Sequence, residues 1–348
     1  MSPIAPALAP LRLRLDGAAL TANWRVLDRL SGTAACGAAV KADGYGLGAV
    51  EVAQRLAAIG CRDFFVATWA EAATLAPLGL SVSVLHGVRD GDMEAAARGA
   101  ARPVLNTASQ VARWRGAGGG SCDVMVDTGM NRLGITTDEV AGGLLDGLAI
   151  DTLMSHLACA DEDVSMNARQ RQEFAGLSIS VPARRYSLAN SAGIGLGADY
   201  AFDLVRPGLA LYGGIPRGEM AGVLTQVVRP EADVLQRRRV RAGETVGYNA
   251  TWTAHADTEV AILNIGYADG YFRGFSGTGH ALAGGVALPV LGRVSMDLTA
   301  VDVSAAPGLA EGDAVEIAFA LPQAAAAAQH SQYELLTSIG QRYQRVWA

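Results

Sequence analysis

The sequence predicts an α/β fold in which an N-terminal (β/α)8 TIM barrel is followed by a C-terminal mostly β domain, and three observations carry that reading. From about residue 34 short apolar runs alternate with helical patterns, and the runs number eight. The intervening segments place apolar residues at helical spacing with a glycine near their ends, as in GAVEVAQRLAAIG and TASQVARWRG. After about residue 222 the texture changes to strands separated by Gly and Pro turns. A doubly wound open sheet is the runner-up, but no GxGxxG follows the first strand to give it a dinucleotide site.

In chain order the eight runs are ACGAAVK, DFFVAT, SVSVLH, RPVLN, CDVMVD, AIDTLMSH, RRYSLA and AFDLVR, with WAEAATLAPLG and SMNARQRQEFAG among the helical segments between them. The later strands read VLTQVVRP, ADVLQRRRV, EVAILNIGY, HALAGGVALPVLGRVSMDL and DAVEIAFAL. PQAAAAAQ reads as a connector into a last helix, YELLTSIGQRY. The expected domains are residues 1–222 and 223–348, and a strand-like segment at 10–16 is a candidate to pair with the second of them.

Composition narrows the function classes. With 348 residues, 50% hydrophobic and 18% charged, the chain is globular rather than disordered. A net charge of −6 gives no electrostatic footprint for nucleic acid, and RRRVR at 237–241 sits in a strand-like stretch as a solvated face. Cys36, Cys61, Cys122 and Cys159 are widely spaced without CxxC pairing, which fits reduced thiols in a cytoplasmic protein. The five histidines show no zinc-ligand spacing, so no metal is expected. The start, MSPIAPALAPLRLRLDG, is broken by three prolines and has neither the charged nor the apolar region of a signal peptide; no apolar run reaches membrane-spanning length.

One of the 28 Lys and Arg residues is lysine, and it is Lys41. Guanidinium stays protonated and non-nucleophilic, whereas a desolvated lysine amine can lose its proton and condense with a carbonyl. An apolar run before Lys41 and the glycine-rich DGYGLG after it read as a buried strand delivering the residue to a turn. In a TIM barrel the active site lies at the C-terminal strand ends, with phosphate commonly held by loops seven and eight. Lys41, Asp127 with Arg132 beyond it, His156, Asn190 and Ser191, and Arg206 fall at the ends of strands one, five, six, seven and eight. Ser191 and the amides of Gly208 and Leu209 fall where phosphate is expected. A reactive amine facing a phosphate site points to pyridoxal phosphate.

These residues carry a resemblance that covers nearly the whole chain. AVKADGYGLG, VDTGMNRLG, SHLACAD, LANSAG, VRPGLALYGG, VGYNATW, IGYADGYFR and GRVSMDL stand in the order found in alanine racemases, which the sequence resembles. The resemblance implies a cytoplasmic homodimer that interconverts L- and D-alanine and supplies D-alanine for peptidoglycan, each active site borrowing residues from the partner's β domain. It implies Lys41 as the Schiff-base lysine and one catalytic base, with Tyr248 as the base on the opposite face of the substrate. Tyr45, Ser191, Gly208, Leu209 and Tyr333 are implied around the phosphate, and His156 beside the cofactor ring in contact with Arg206. Arg132 and the backbone of Met296 are implied near the substrate carboxylate. Arg206 is implied against the pyridine nitrogen, whose proton it cannot accept, and Tyr248 then needs nearby positive charge, through His156 and Arg206, to act as a base near neutral pH.

The sequence also departs from the family pattern. Leu47 replaces a histidine, Ser295 a cysteine and Leu298 a frequent glutamine. Met125 falls where many members carry a carbamylated lysine that orients the arginine, so another group, such as a carboxylate or a small anion, is expected to hold Arg132. Rival readings are a serine or broader-specificity racemase, a barrel-type pyridoxal decarboxylase, and a non-catalytic pyridoxal phosphate carrier. The decarboxylase would place a carboxylate at Arg206 and a cysteine in the β domain, whereas all four cysteines precede residue 160. Tyr248 and the second domain argue against the carrier.

Overall fold

The structure, a computed structural model, describes residues 9–348, and the proline-interrupted stretch before Ala9 lies outside it. The chain forms two compact units, one of residues 19–225, the other joining the described residues up to Ala18 to Gln226–Ala348.

In the first unit parallel strands follow one another in chain order: Ala38–Ala39, Asp63–Val66, Ser81–Val84, Arg102–Leu105, Cys122–Asp127, Ile150–Met154 and Arg185–Ser187. The eighth, Leu204–Val205, pairs with Ala35–Cys36, which runs across Gly37 into Ala38–Ala39. Amide to carbonyl bonds Asp203 to Tyr186 and Arg206 to Ala189, at 3.0 and 2.9 Å, join strands seven and eight and close an eight-membered barrel. A Cβ on Gly37 would stand 2.9 Å from both the Asp63 carbonyl and the Phe65 ring, so the first strand can lie this close to the second only with glycine there. Outside the strands, helix Ser165–Ser180 buries Phe174 and Leu177 against Val124, Val126, Leu153 and Leu188. Full burial of a side chain such as Phe174 contributes roughly 2 kcal/mol.

The N-terminal end of this barrel is closed by charge. Arg185 bridges Asp63 at 2.6 Å and Asp151 at 3.2 Å, Arg184 reaches Asp151 at 2.6 Å, and Arg102 lies 3.4 Å from both Asp151 and Asp123. Burial by itself raises the Asp151 carboxyl, but the Arg184 hydrogen bond and the surrounding guanidinium charges outweigh it and bring the group down to about 2. The floor is a paired ionic layer, and the polar groups of the opposite rim are left to function.

In the second unit six antiparallel strands form a ring in the order Thr258–Leu263, Thr299–Asp302, Val286–Leu291, His280–Ala283, Ala314–Ile317 and Val228–Val240, the last pairing back to the first. Leu11–Leu15 adds to Val228–Val240 and in turn pairs in parallel with Gln344–Trp347. The stretches VLTQVVRP and ADVLQRRRV, read from sequence as two strands, meet in one strand of 13 residues that begins only at Val228. Pro230 is tolerated inside it because pairing with Ala314–Ile317 begins only at Glu231. A bulge between Val234 and Gln236 turns Leu235 outward and lets the strand serve two neighbours. PQAAAAAQ is no connector: Leu321–Ala328 is a helix, since alanine is the strongest helix former and Pro322 occupies its first turn. In the RRRVR run Arg238 and Arg239 are exposed, and Arg237 meets Glu259 at 3.3 Å.

Candidate active site

The turn after the first barrel strand is wound left-handed. Ala42, Asp43, Gly44 and Tyr45 have φ of 53, 53, 63 and 55°, and Gly46 follows at 84°. Each non-glycine residue there costs about 1–2 kcal/mol, so three of them need support. Amides of Gly44, Gly46 and Gly48 donate to the carbonyls of Val40, Ala42 and Asp43 at 2.8–2.9 Å, and the Ala49 amide donates to Asp43 Oδ1 at 2.9 Å. The turn brings Lys41 to the barrel's C-terminal rim and sends Tyr45 inward, where it is buried and stacked on Tyr212 with ring centroids 4.7 Å apart. Tyr212 Oη in turn donates to the Ala39 carbonyl at 3.0 Å.

Loops seven and eight meet at Ser191. Its Oγ accepts from the amides of Gly208 and Ala210 at 2.8 and 3.2 Å. A Cβ on Gly208 would overlap the Tyr45 hydroxyl, so the first and eighth loops approach only because residue 208 has none. Leu209 is buried at the start of the short 3-10 helix Leu209–Tyr212. Tyr45, Ser191, Gly208 and Leu209 thus lie together, with the Gly208 amide bonded to Ser191.

Four basic side chains share the rim. Burial and the Arg132 charge lower the Lys41 amine below its ordinary range, with Glu71 opposing. His156 is held down to about 3 by burial, then by Arg206, Arg132 and Lys41, so its imidazole is neutral. Arg206 is buried, which brings it down to about 10. Its guanidinium donates to Ser187 Oγ and, at 2.6 Å, to the carbonyl of Ser155. Among the described residues Arg206 makes no hydrogen bond to His156; the two are coupled through charge alone. The His156 carbonyl accepts from Gln170, whose Oε1 takes the Ala158 amide at 2.8 Å, so helix Ser165–Ser180 fixes the sixth loop. Arg132 follows a turn in which Asp127 Oδ1 accepts from the amides of Gly129 and Met130 at 2.8 Å. No carboxylate holds it: Arg132 is exposed and makes no hydrogen bond or ion pair among the described residues, while Met125 is buried on the fifth strand.

The remaining predicted residues belong to the other unit. Tyr248, Met296 and Tyr333 are 65%, 53% and 42% exposed. Tyr248 opens the turn Tyr248–Ala250, in which Asn249 and Ala250 have φ of 62 and 48°. The Met296 carbonyl accepts from the Ala268 amide at 3.0 Å, and Gly266 leaves room for it, since a Cβ there would overlap the same carbonyl. Sequence reasoning gave no role to the pairs behind this loop: Arg342 clamps buried Asp269 through two bonds of 2.7 Å and reaches Asp297 at 2.6 Å. Both aspartates stand inside quoted motifs, IGYADGYFR and GRVSMDL, which was the available signal.

Residues 15–216 match the model of the alanine racemase N-terminal domain, and residues 227–347 that of the C-terminal domain. The chain belongs to the alanine racemase family. An alanine racemase of Acidiphilium cryptum is 44% identical over 350 residues, covering 96% of this chain and 98% of that one. One of Dinoroseobacter shibae is also 44% identical over 350 residues, covering 98% and 99%. The crystal structure of alanine racemase from Bartonella henselae, with covalently bound pyridoxal phosphate, superposes with a TM-score of 0.91 at 35% identity and covers 99% of this chain and 100% of its own. Barrel and β domain together are therefore the racemase fold.

Proposed function

We propose that this chain is a pyridoxal phosphate-dependent alanine racemase whose two bases are Lys41 and Tyr248. The observation that carries the reading is the barrel rim: the chain's only lysine, depressed in basicity, shares it with Arg132, Arg206 and a neutral His156, and the same rim carries the meeting point of Tyr45, Ser191 and Gly208. These residues fit the cofactor. An amine with no competing lysine meets its aldehyde, a hydroxyl and amide cradle opened by Gly208 suits its phosphate, and an all-donor arginine suits an unprotonated ring nitrogen. When bound, pyridoxal phosphate supplies the conjugated ring that accepts the electron pair left at Cα.

The chain's residues do the rest. Lys41 removes or returns the Cα proton on one face, and Tyr248 serves the other, so removal on one side and return on the other inverts the centre. Arg206 carries only N–H donors, so placed against the ring nitrogen it would leave that atom without a proton. Arg132 and the Met296 backbone bind the substrate carboxylate, and Tyr333 joins the phosphate group. The exposure of Tyr248, Met296 and Tyr333 supports a homodimer in which they complete the site of a second copy. Four free thiols support a cytoplasmic setting, and among the described residues no helix is long and apolar enough to cross a membrane.

The test is a chiral assay of the pure protein with added pyridoxal phosphate over a panel of L-amino acids, beside Lys41→Arg. Wild type is expected to racemise alanine best, and Lys41→Arg to lose both turnover and the visible absorption of lysine-bound cofactor. Preference for serine would move the reading to the broader racemase, and a full complement of bound cofactor in Lys41→Arg would remove Lys41 from its role.

A further inference from the structure

We propose that Glu71 is a positioning residue for Lys41, its carboxylate clamping the left-handed turn after the lysine to the loop beyond the second barrel strand. Glu71 Oε1 accepts from the Ala42 amide at 2.7 Å, while Oε2 accepts from the amides of Ala67 and Thr68 at 2.6 and 3.1 Å. The Glu71 amide donates to Thr68 Oγ1 at 3.2 Å and completes the cap of helix Trp69–Leu75. One side chain therefore does two jobs, and only the bond to Ala42 reaches the loop that carries Lys41.

The geometry explains why a carboxylate is needed. Ala42 is the first left-handed residue, with φ 53°. Its carbonyl accepts from the Gly46 amide inside the turn, and its own N–H donates to Glu71. An ionised carboxylate accepts only and satisfies all three donors from two loops. Its charge also opposes the burial that lowers the Lys41 amine. Through Ala42 the clamp sets where Lys41 leaves the strand, and through the rest of the turn where Tyr45 enters the cradle. Sequence reading placed Glu71 on a helix and missed the Thr68 to Glu71 capping spacing that marks it.

The inference rests on Lys41 as the reactive amine, and its test separates the clamp from that reading. In Glu71→Gln the amide oxygen can keep the cap bonds to Ala67 and Thr68, but its NH2 then faces the Ala42 N–H, donor against donor. Hydrogen exchange of the Ala42 amide is expected to rise about tenfold or more. In the loaded enzyme kcat is expected to fall about tenfold with KM within about threefold, the pattern of a misplaced group rather than lost binding. Adding Ala42→Gly, which adopts the left-handed conformation without a Cβ clash, should recover about a third or more of the lost kcat. Thr68→Ala removes the other half of the cap; it is expected to lower Tm while leaving Ala42 exchange and kcat within about twofold of wild type. Should Glu71→Gln prove insoluble, Glu71→Asp, with the charge on a shorter arm, carries the same comparison. Wild-type exchange at Ala42 in the Glu71 variant, or an equal loss of kcat in Thr68→Ala, overturns the proposal. If no variant, wild type included, racemises alanine, the exchange measurement alone still decides the clamp.

Discussion

A cation that nothing in its own chain restrains has to be oriented by what it binds, and Arg132 is such a cation among the described residues. The usual family solution is closed to it: Met125 offers a thioether, and the one lysine of the chain is Lys41, which we propose holds the cofactor. Racemase activity is therefore expected to be the same in degassed buffer and with added bicarbonate, whereas Met125→Lys should gain from bicarbonate, its KM falling about threefold as a carbamate orients Arg132. Bicarbonate dependence of wild type would contradict this. His156 gives a second residue-scale consequence. Its folded pKa, held at about 3, lies below the unfolded value of 6.5, so the unfolded chain binds the extra proton. The stability that a neutral His156 represents is complete above pH 6.5 and is lost as pH falls toward 3. Thermal melts of the cofactor-free protein should show His156→Gln losing less Tm than wild type between about pH 7 and 5, with roughly 2 kcal/mol separating their slopes across that window. Parallel pH profiles would show that His156 takes up its proton in the fold.

At the scale of elements the barrel was legible and its trim was not. Eight apolar runs became eight strands because a strand buried on both faces is written mostly in apolar residues, most of its charges here lying in the paired floor. PQAAAAAQ was read as a connector because alanine carries no amphipathic pattern, although its helix propensity was the better guide. VLTQVVRP and ADVLQRRRV were separated because a proline signals a break in isolation; which side of a strand lacks a neighbour is a tertiary fact. In the site, strand ends located Lys41, His156, Ser191 and Arg206, but the meeting of loops one, seven and eight depends on contacts of long sequence separation that no local pattern records. Gly208→Ala tests that meeting. The new methyl would overlap the Tyr45 hydroxyl, so Tyr45 must leave its stack on Tyr212 or the eighth loop must withdraw. Pyridoxal phosphate affinity of the apoprotein, titrated by absorption, is expected to fall about tenfold or more while far-UV circular dichroism stays unchanged, since overpacking here strikes two loops rather than the core. Unaltered affinity would show that the cradle does not hold the phosphate.

The whole molecule poses the question of where the second base comes from. Tyr248, Met296 and Tyr333 sit on the β unit with large exposed areas, a poor environment for the roles proposed for them in a water-excluded site unless another surface covers them. If that surface is the barrel of a second copy, every active site takes Lys41 from one chain and Tyr248 from the other. Two inactive proteins, Lys41→Ala and Tyr248→Phe, then complement each other when mixed. In a hybrid dimer the barrel with intact Lys41 faces the intact Tyr248 of its neighbour, while the other site lacks both groups. Random exchange of equal amounts makes about half the dimers hybrid, each with one competent site of two, so activity should approach about a quarter of wild type at the same chain concentration. The measurement is racemase activity against time after mixing, with subunit exchange followed independently by native mass spectrometry of a mass-tagged partner. Recovery that tracks the hybrid population supports the shared site. Full exchange without recovery would mean that each chain keeps its two bases to itself.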